Sequence, residues 1–378
     1  MKKVLFLMRS PAPSGAQRVL IDTVRALDTT KYELTVQVIY GGQGLRHALP
    51  DGIRYREIVP AHRSAALFCR LLRYVLPLRC VYRRCIDDDY DVEVAFLEGE
   101  CTRLLAHSTN RYATRLAYVH TDMRDNFTSN RCYRSLREHR AAYRAYDGVV
   151  CVSKHTRARF IARFGDTGNV CVAYNVCDRE RVLRLSHEAA PAFVRGQGRQ
   201  LVTVSNLRPE KRHTRLLFEL AQLRDEGELF TLHVVGDGPQ REAIEACVAR
   251  LGLQAQVRLV GHLDNPYAYM RACDALVIAS SAEGYSTVAV EARLLGLPVL
   301  STPSGGIFEI AAQYGGVSVA SDARDGLKNL LRAYLRGKDD RVNAENKNAA
   351  GEEILPSATI RRLEELLDGT GGSSDVNL

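Results

Sequence analysis

Two glutamates, Glu283 and Glu291, stand on either side of a turn that can open a helix. The stretch reads S-S-A-E-G-Y-S-T-V-A-V-E-A-R-L-L-G-L-P from Ser280 to Pro298. The apolar run 275–279 before it has the pattern of a buried parallel strand. Glu283, Gly284 and Tyr285 form the turn, with Gly284 free to take positive φ. Ser286 is a suitable N-cap, and Thr287 and Val288 open a helix over 287–295 that Gly296 and Pro298 close. Glu291 then lies roughly 8 Å along the helix axis. The first free N–H groups of the helix point into the same crevice, an anion site flanked by two carboxylates, of which Glu291, near the helix start, is expected to be partly solvated. Such a site suits a diphosphate with hydroxyls at both ends, as in a nucleotide sugar. The structural alternative is a capped amphipathic helix with solvated acids.

The E-x7-E spacing, with G-Y after the first Glu and E-A-x-x-L-G-x-P-V after the second, resembles family 4 of the retaining glycosyltransferases. That resemblance implies the GT-B fold: α/β, two Rossmann-like doubly wound domains facing across a cleft. It implies transfer of a sugar from a nucleotide sugar to an acceptor hydroxyl, with no metal and no cofactor beyond the donor itself. Glu283 would hold sugar hydroxyls and Glu291 ribose hydroxyls. Lys211 and the amides near Thr287 would stabilise the departing diphosphate.

Further residues match the family by position. Asn206-Leu207-Arg208-Pro209-Glu210-Lys211 resembles G-R-L-x-P-E-K. Lys211 matches, but Asn206 replaces the family's arginine and brings no charge; Arg208, two residues on, is not a motif match. Gly236-Asp237-Gly238-Pro239 with Arg241 resembles G-D-G-P-x-R, and Gly261-His262-Leu263 the turn whose backbone faces the nucleotide base. Near the amino end, Ser14-Gly15-Ala16-Gln17 stands where the family has G-G-A-E, so Gly15 survives and Ser14 leaves less room. His120 ends a short strand where family members place a histidine that reaches the sugar. A lone histidine after a strand is otherwise structural.

The elements that must position these residues follow from the bulk pattern. A chain of 378 residues is long enough for two domains. Strand and helix patterns alternate over 1–188 and restart at 201, with an aperiodic linker at 189–200 bearing Pro191, Gly196 and Gly198. The second domain is expected to span 201–350, followed by a helix over 351–368 and a disordered polar tail, 369–378. The run 4–8 reads as a first core strand and not a leader, because it is short and Arg9 and two prolines follow at once.

Residues 1–190 carry 31 Lys and Arg against 20 Asp and Glu, a balance of +11; the remainder carries 21 against 24, a balance of −3. The basic excess points to an anionic partner on the first half, and no nucleic-acid module accompanies it. Residues 61–86 place Arg63, Arg70, Arg73, Arg79, Arg83 and Arg84 among apolar side chains without one acid. Two readings stand: a cationic helix lying on an anionic bilayer near a lipid-linked saccharide acceptor, or an ordinary helix pair broken near Pro77. Arg124, Arg131, Arg134, Arg137, Arg140 and Arg144 add a second basic face. Asp87-Asp88-Asp89 contains D-x-D, a metal motif of another glycosyltransferase fold, but it reads better as a helix-to-strand loop.

Ten scattered cysteines with no C-x-x-C suit a reducing compartment, so the expected location is cytoplasmic, with peripheral contact with the inner face of the membrane left open. A sugar-nucleotide epimerase of related fold and a degenerate, non-catalytic binding protein are the rival functions. Base, sugar, acceptor and linkage are not legible.

Overall fold

The apolar run at the amino end is strand β1 (Lys2–Met8), an interior strand of a seven-stranded parallel sheet. Its residues from Val4 to Met8 are at most 1% exposed, which is why they form an unbroken apolar run and not an alternation. The other strands are β2 (Tyr32–Tyr40), β3 (Arg54–Val59), β4 (Val92–Ala95), β5 (Thr114–Val119), β6 (Gly148–Cys151) and β7 (Val170–Val172), in spatial order β3-β2-β1-β4-β5-β6-β7. Leu5 and Leu7 pack with Ile39, Ala95, Ala117 and Val119 in one core cluster. The computed structural model describes residues 1–10, 14–60, 77–86, 89–123, 127–189, 193–338 and 354–369.

A second parallel sheet has its own core. Its strands are β8 (Arg199–Val204), β9 (Phe230–Val235), β10 (Val257–Gly261), β11 (Ala275–Ile278), β12 (Val299–Ser301) and β13 (Val317–Val319), in order β10-β9-β8-β11-β12-β13. Leu201, Leu232, Val234, Val277 and Leu300 centre its core. Each sheet is doubly wound, so each has a point where the strand order reverses: between β1 and β4 in the first, between β8 and β11 in the second. Loops leaving the carboxyl ends of such neighbours diverge and leave a crevice, the usual ligand position in this fold class.

The chain forms two compact units, Met1–Val176 with Glu353–Leu378, and Cys177–Glu352. This corrects the boundary expected at 189–200. The helix Arg179–Ser186 lies against Tyr267–Arg271 and Thr287–Leu294 of the second unit, so the division falls before that helix. The final helix, Ile354–Asp368, belongs to the first unit and not the second: Lys2 Nζ donates to Asp368 Oδ1 at 3.0 Å, and Lys31 pairs with Glu364 at 3.7 Å. Hydrophobic periodicity marks a helix but says nothing of which core it packs on.

The basic stretch 61–86 lies partly outside the described residues, which resume at Pro77. The helix Leu78–Cys85 turns Leu78, Val81 and Tyr82 into the core and leaves Arg79, Arg83 and Arg84 exposed. Asp87, Asp88, Arg124 and the tail 370–378 also lie outside, while Asp89 is exposed. The described cysteines are free thiols. Among the described residues, no helix is long and apolar enough to cross a membrane.

Candidate active site

The second unit's reversal point gathers most of the expected site. From β8 the chain runs through Ser205 to Arg208 into a tight 3-10 turn, Pro209–Lys211; from β11 it runs to Ser286 and the helix Thr287–Leu294. The two loops are tied by their backbones, since Ser281 N–H donates to the Glu210 carbonyl at 2.9 Å and its hydroxyl to the same oxygen at 3.2 Å. Lys211 Nζ then reaches across to Glu283 Oε1 at 2.5 Å. Both side chains are largely buried, 23% and 15% exposed, so the pair is a charge-assisted hydrogen bond with restricted solvent. Arg212 follows at φ +51°, a left-handed conformation that lets the chain reverse from the 3-10 turn into the helix His213–Asp225. His213, buried beneath, accepts or donates to Ser205 Oγ at 3.1 Å; burial, and then the Lys211 charge, push its pKa down to about 4.

The Glu283 turn is held from behind by the loop after β12. Gly306 N–H donates to the Gly284 carbonyl at 2.9 Å, and Gly305, at φ +58°, passes so close that a Cβ would stand 2.1 Å from the Glu283 carbonyl oxygen. Tyr285 is buried with its hydroxyl on Gln313 Oε1 at 2.5 Å, anchoring the turn to the helix Ile307–Tyr314. Ser286 occupies the N-cap position, but its side chain makes no cap hydrogen bond, contrary to expectation. The Val290 amide closes back on the Ser286 carbonyl at 3.3 Å; the amides of Thr287, Val288 and Ala289 precede it and have no acceptor within the helix. An anion placed there meets several N–H groups and the positive end of the helix dipole.

Glu291 is only 7% exposed, which corrects the expectation of a partly solvated carboxylate. The Tyr267 hydroxyl donates to Glu291 Oε1 at 2.7 Å, the kind of partner a buried carboxylate requires. Asn206 is half-buried, and Arg208 is exposed, its amide donating to the Asn206 carbonyl at 2.8 Å. At Gly236, φ is +131° and a Cβ would stand 1.9 Å from the Ser205 carbonyl oxygen, so only glycine lets β9 end this close to the β8 loop. Gly236 N–H donates to the Gly261 carbonyl at 2.7 Å, and half-buried Leu263 lies two residues further. Among the described residues no group of three His, Cys, Asp or Glu side chains gathers as a metal cluster.

Gly15 and His120 lie in the first unit. Gly15 opens the helix Gly15–Ala26, and Ser14 Oγ caps it by accepting from the Gln17 amide at 3.2 Å. His120 follows β5, its ring packed on Phe96 at 4.9 Å and Tyr118 at 5.6 Å. Burial pushes its pKa down to about 4, opposed by a hydrogen bond to the Phe96 backbone. Among the described residues the buried Nε2 has no hydrogen-bond partner, so the Phe96 bond falls to Nδ1, and the neutral ring leaves Nε2 as an acceptor. Glu98 fixes this corner: its Oε1 accepts from the amides of His120 and Thr121 at 2.7 and 2.9 Å and from the Thr121 hydroxyl at 3.0 Å. Sequence reading missed Glu98, Tyr267 and His213. Glu98 sits at a strand end, a recognisable signal; Tyr267 and His213 act through contacts that local pattern does not record.

Comparison with known proteins now decides the family. A model described as Glycosyltransferase Family 4 matches residues 13–181, and one described as Glycosyl transferases group 1 matches 189–350. The chain belongs to the family 4 type of glycosyltransferases. This glycosyltransferase is 24% identical over 369 residues to the N-acetylgalactosamine-N,N'-diacetylbacillosaminyl-diphospho-undecaprenol 4-alpha-N-acetylgalactosaminyltransferase of Campylobacter jejuni, covering 93% of the chain and 94% of that protein. It is 31% identical over 229 residues to the 2-deoxystreptamine glucosyltransferase of Streptomyces kanamyceticus, covering 57% of the chain and 57% of that relative's length. Among solved structures it is similar to Anabaena HepE in complex with UDP-glucose, with TM-score 0.71, 20% identity, and coverage of 98% of the chain and 100% of that one. WaaG, a glycosyltransferase involved in lipopolysaccharide biosynthesis, gives TM-score 0.67 at 16% identity over 97% of the chain and all of WaaG. The fold is GT-B.

Proposed function

We propose that this glycosyltransferase takes its sugar from a nucleotide sugar and transfers it to an acceptor hydroxyl with retention at the anomeric carbon and without a metal, in the synthesis of a surface polysaccharide or glycolipid. The observation that carries this reading is the Lys211–Glu283 pair, set at the reversal point of the second sheet beside the open amides of the helix Thr287–Leu294. The diphosphate would lie on those amides and on Lys211, Glu283 would accept from sugar hydroxyls, and buried Glu291 from the ribose. As the bond from the anomeric carbon to phosphate oxygen breaks, charge accumulates on the leaving diphosphate, and Lys211 and the amides meet it where it grows. The acceptor oxygen bonds to the same face of that carbon, and its proton passes to a leaving-phosphate oxygen, so no enzyme base is assigned. His120, with a bare Nε2, suits accepting a hydrogen bond from a sugar hydroxyl.

UDP and UDP-glucose in complexes of the HepE neighbour support a nucleotide-sugar donor, and the diphospho-undecaprenol name of the Campylobacter relative supports a lipid-linked acceptor. The exposed Arg79, Arg83 and Arg84 support peripheral contact of the first unit with an anionic membrane on the cytoplasmic side. A panel of nucleotide sugars incubated with the protein, with and without chelator, tests the reading. Slow hydrolysis of one donor, unaffected by chelator, is expected; isomerisation of a donor, or no consumption of any, would contradict it. The second of those outcomes would point to a non-catalytic protein and to Asn206 as the disabling departure.

A further inference from the structure

Outside the matched motifs, the Tyr267 side chain is bonded to Glu291. Tyr267 opens the helix Tyr267–Arg271 and is 0% exposed. Its hydroxyl stands 2.7 Å from Glu291 Oε1 and 3.4 Å from Nη2 of Arg181, on the helix Arg179–Ser186. Arg181 is itself 8% exposed, and its guanidinium also lies over the Tyr267 ring, 5.7 Å from the centroid. A guanidinium can only donate, so the hydroxyl accepts from Arg181 and its single proton is committed to Glu291. The chain of bonds therefore has one direction, and it ends on a carboxylate held as an acceptor.

We propose that Tyr267, backed by Arg181, is a positioning residue that fixes the Glu291 carboxylate for the two vicinal hydroxyls of a ribose, and so sets discrimination at the sugar of the nucleotide. The proposal rests on the reading that Glu291 binds ribose. With Oε1 tethered by Tyr267, rotation about the last side-chain bond is stopped, and the carboxylate plane is fixed before a ligand arrives. Removing the hydroxyl weakens that restraint and takes one donor from the buried Oε1. The ring alone still fills the packing space between the three helices.

Tyr267→Phe removes the hydroxyl and nothing else. The probes are UDP, ADP and GDP, each paired with its 2′,3′-dideoxy counterpart and titrated by calorimetry; the ratio of the two affinities is read for the base that binds. Wild type is expected to prefer the ribose form, and Tyr267→Phe to lose about tenfold of that preference. Dideoxy affinity should stay unchanged. Arg181→Met should reduce the ratio in the same direction, which covers the case in which Tyr267→Phe does not fold. Unchanged dideoxy binding reports an intact site. An unchanged ratio in a folded Tyr267→Phe or Arg181→Met protein would overturn the proposal. An unchanged ratio in Glu291→Ala would instead remove the ribose reading on which it rests, as would a wild type that binds no probe.

Discussion

Lys211 Nζ donates to Glu283 Oε1 at 2.5 Å, bridging the two loops that diverge from β8 and β11. On the proposed function, the cation that would hold a diphosphate is parked on the carboxylate that would hold sugar hydroxyls. Each side chain supplies the other's missing ligand, which keeps two charges tolerable in a largely enclosed place. On that reading a donor would draw the cation to phosphate, and the carboxylate would exchange its ion pair for hydrogen bonds from sugar hydroxyls.

Lys211→Ala should therefore lower turnover far more than it raises the donor Michaelis constant. The loss expected is about 10²-fold to 10³-fold, the scale for removing one preorganised donor from a developing oxyanion. Steady-state kinetics on the wild-type donor checks this. A change confined to the Michaelis constant would assign Lys211 to uniform binding only.

Gly305→Ala should disturb the Glu283 turn at a distance. Its φ of +58° disfavours a side chain, and the new Cβ would stand 2.1 Å from the Glu283 carbonyl oxygen. About 1 to 3 kcal/mol of strain is expected, with loss of donor affinity. Gly236→Ala, at φ +131° and 1.9 Å from the Ser205 carbonyl oxygen, should cost stability on a similar scale. Chemical denaturation of both variants beside wild type measures the cost; wild-type midpoints would contradict the close approaches.

How far these features were legible depended on whether the signal was local. The β11 run and the helix after Ser286 could be read because an unbroken apolar strand and a helix stop are written in neighbouring residues, whereas Gly284 does not take the positive φ open to it. The Ser286 cap bond was expected and is not made. The sequence leads one to expect Glu291 partly solvated because its burial arises from Tyr267 and from the helix Arg179–Ser186, which local pattern does not record. The unit boundary failed for the same reason. A Pro- and Gly-bearing stretch marks an irregular segment, whereas the division depends on which core Val182 and its helix neighbours enter.

Acid should destabilise the protein in a defined window. Burial lowers His120, His213 and His233 to about 4 and His139 to about 3, against an ordinary value of 6.5. The folded state holds these rings neutral while the unfolded chain takes up protons from about pH 6.5 downward, so stability present above 6.5 falls as pH drops toward 4. Glu93 and Glu98, raised by burial, have the opposite sign and lose stability as pH rises through their folded values. Thermal melts between pH 7 and 4.5 are expected to show falling midpoints, and His233→Gln to flatten the dependence. A midpoint independent of pH across that range would contradict the buried neutral state.

The helix Leu78–Cys85 spends its apolar face on the core, so in the proposed membrane contact its three exposed arginines would attach electrostatically. Each is worth about 1 kcal/mol near an anionic surface. Reversing Arg79, Arg83 and Arg84 to glutamate should weaken co-sedimentation with phosphatidylglycerol vesicles and leave donor hydrolysis intact. Equal sedimentation with neutral vesicles would remove the electrostatic attachment.

The most direct test is proton NMR of the sugar first released when an α-linked nucleotide sugar is hydrolysed slowly by the protein without acceptor, in the presence of chelator. The α anomer should appear before mutarotation equilibrates it, and its formation should be lost in Lys211→Ala. Initial release of the β anomer, an isomerised nucleotide sugar, or hydrolysis indifferent to Lys211 would contradict retaining, metal-free transfer at this site.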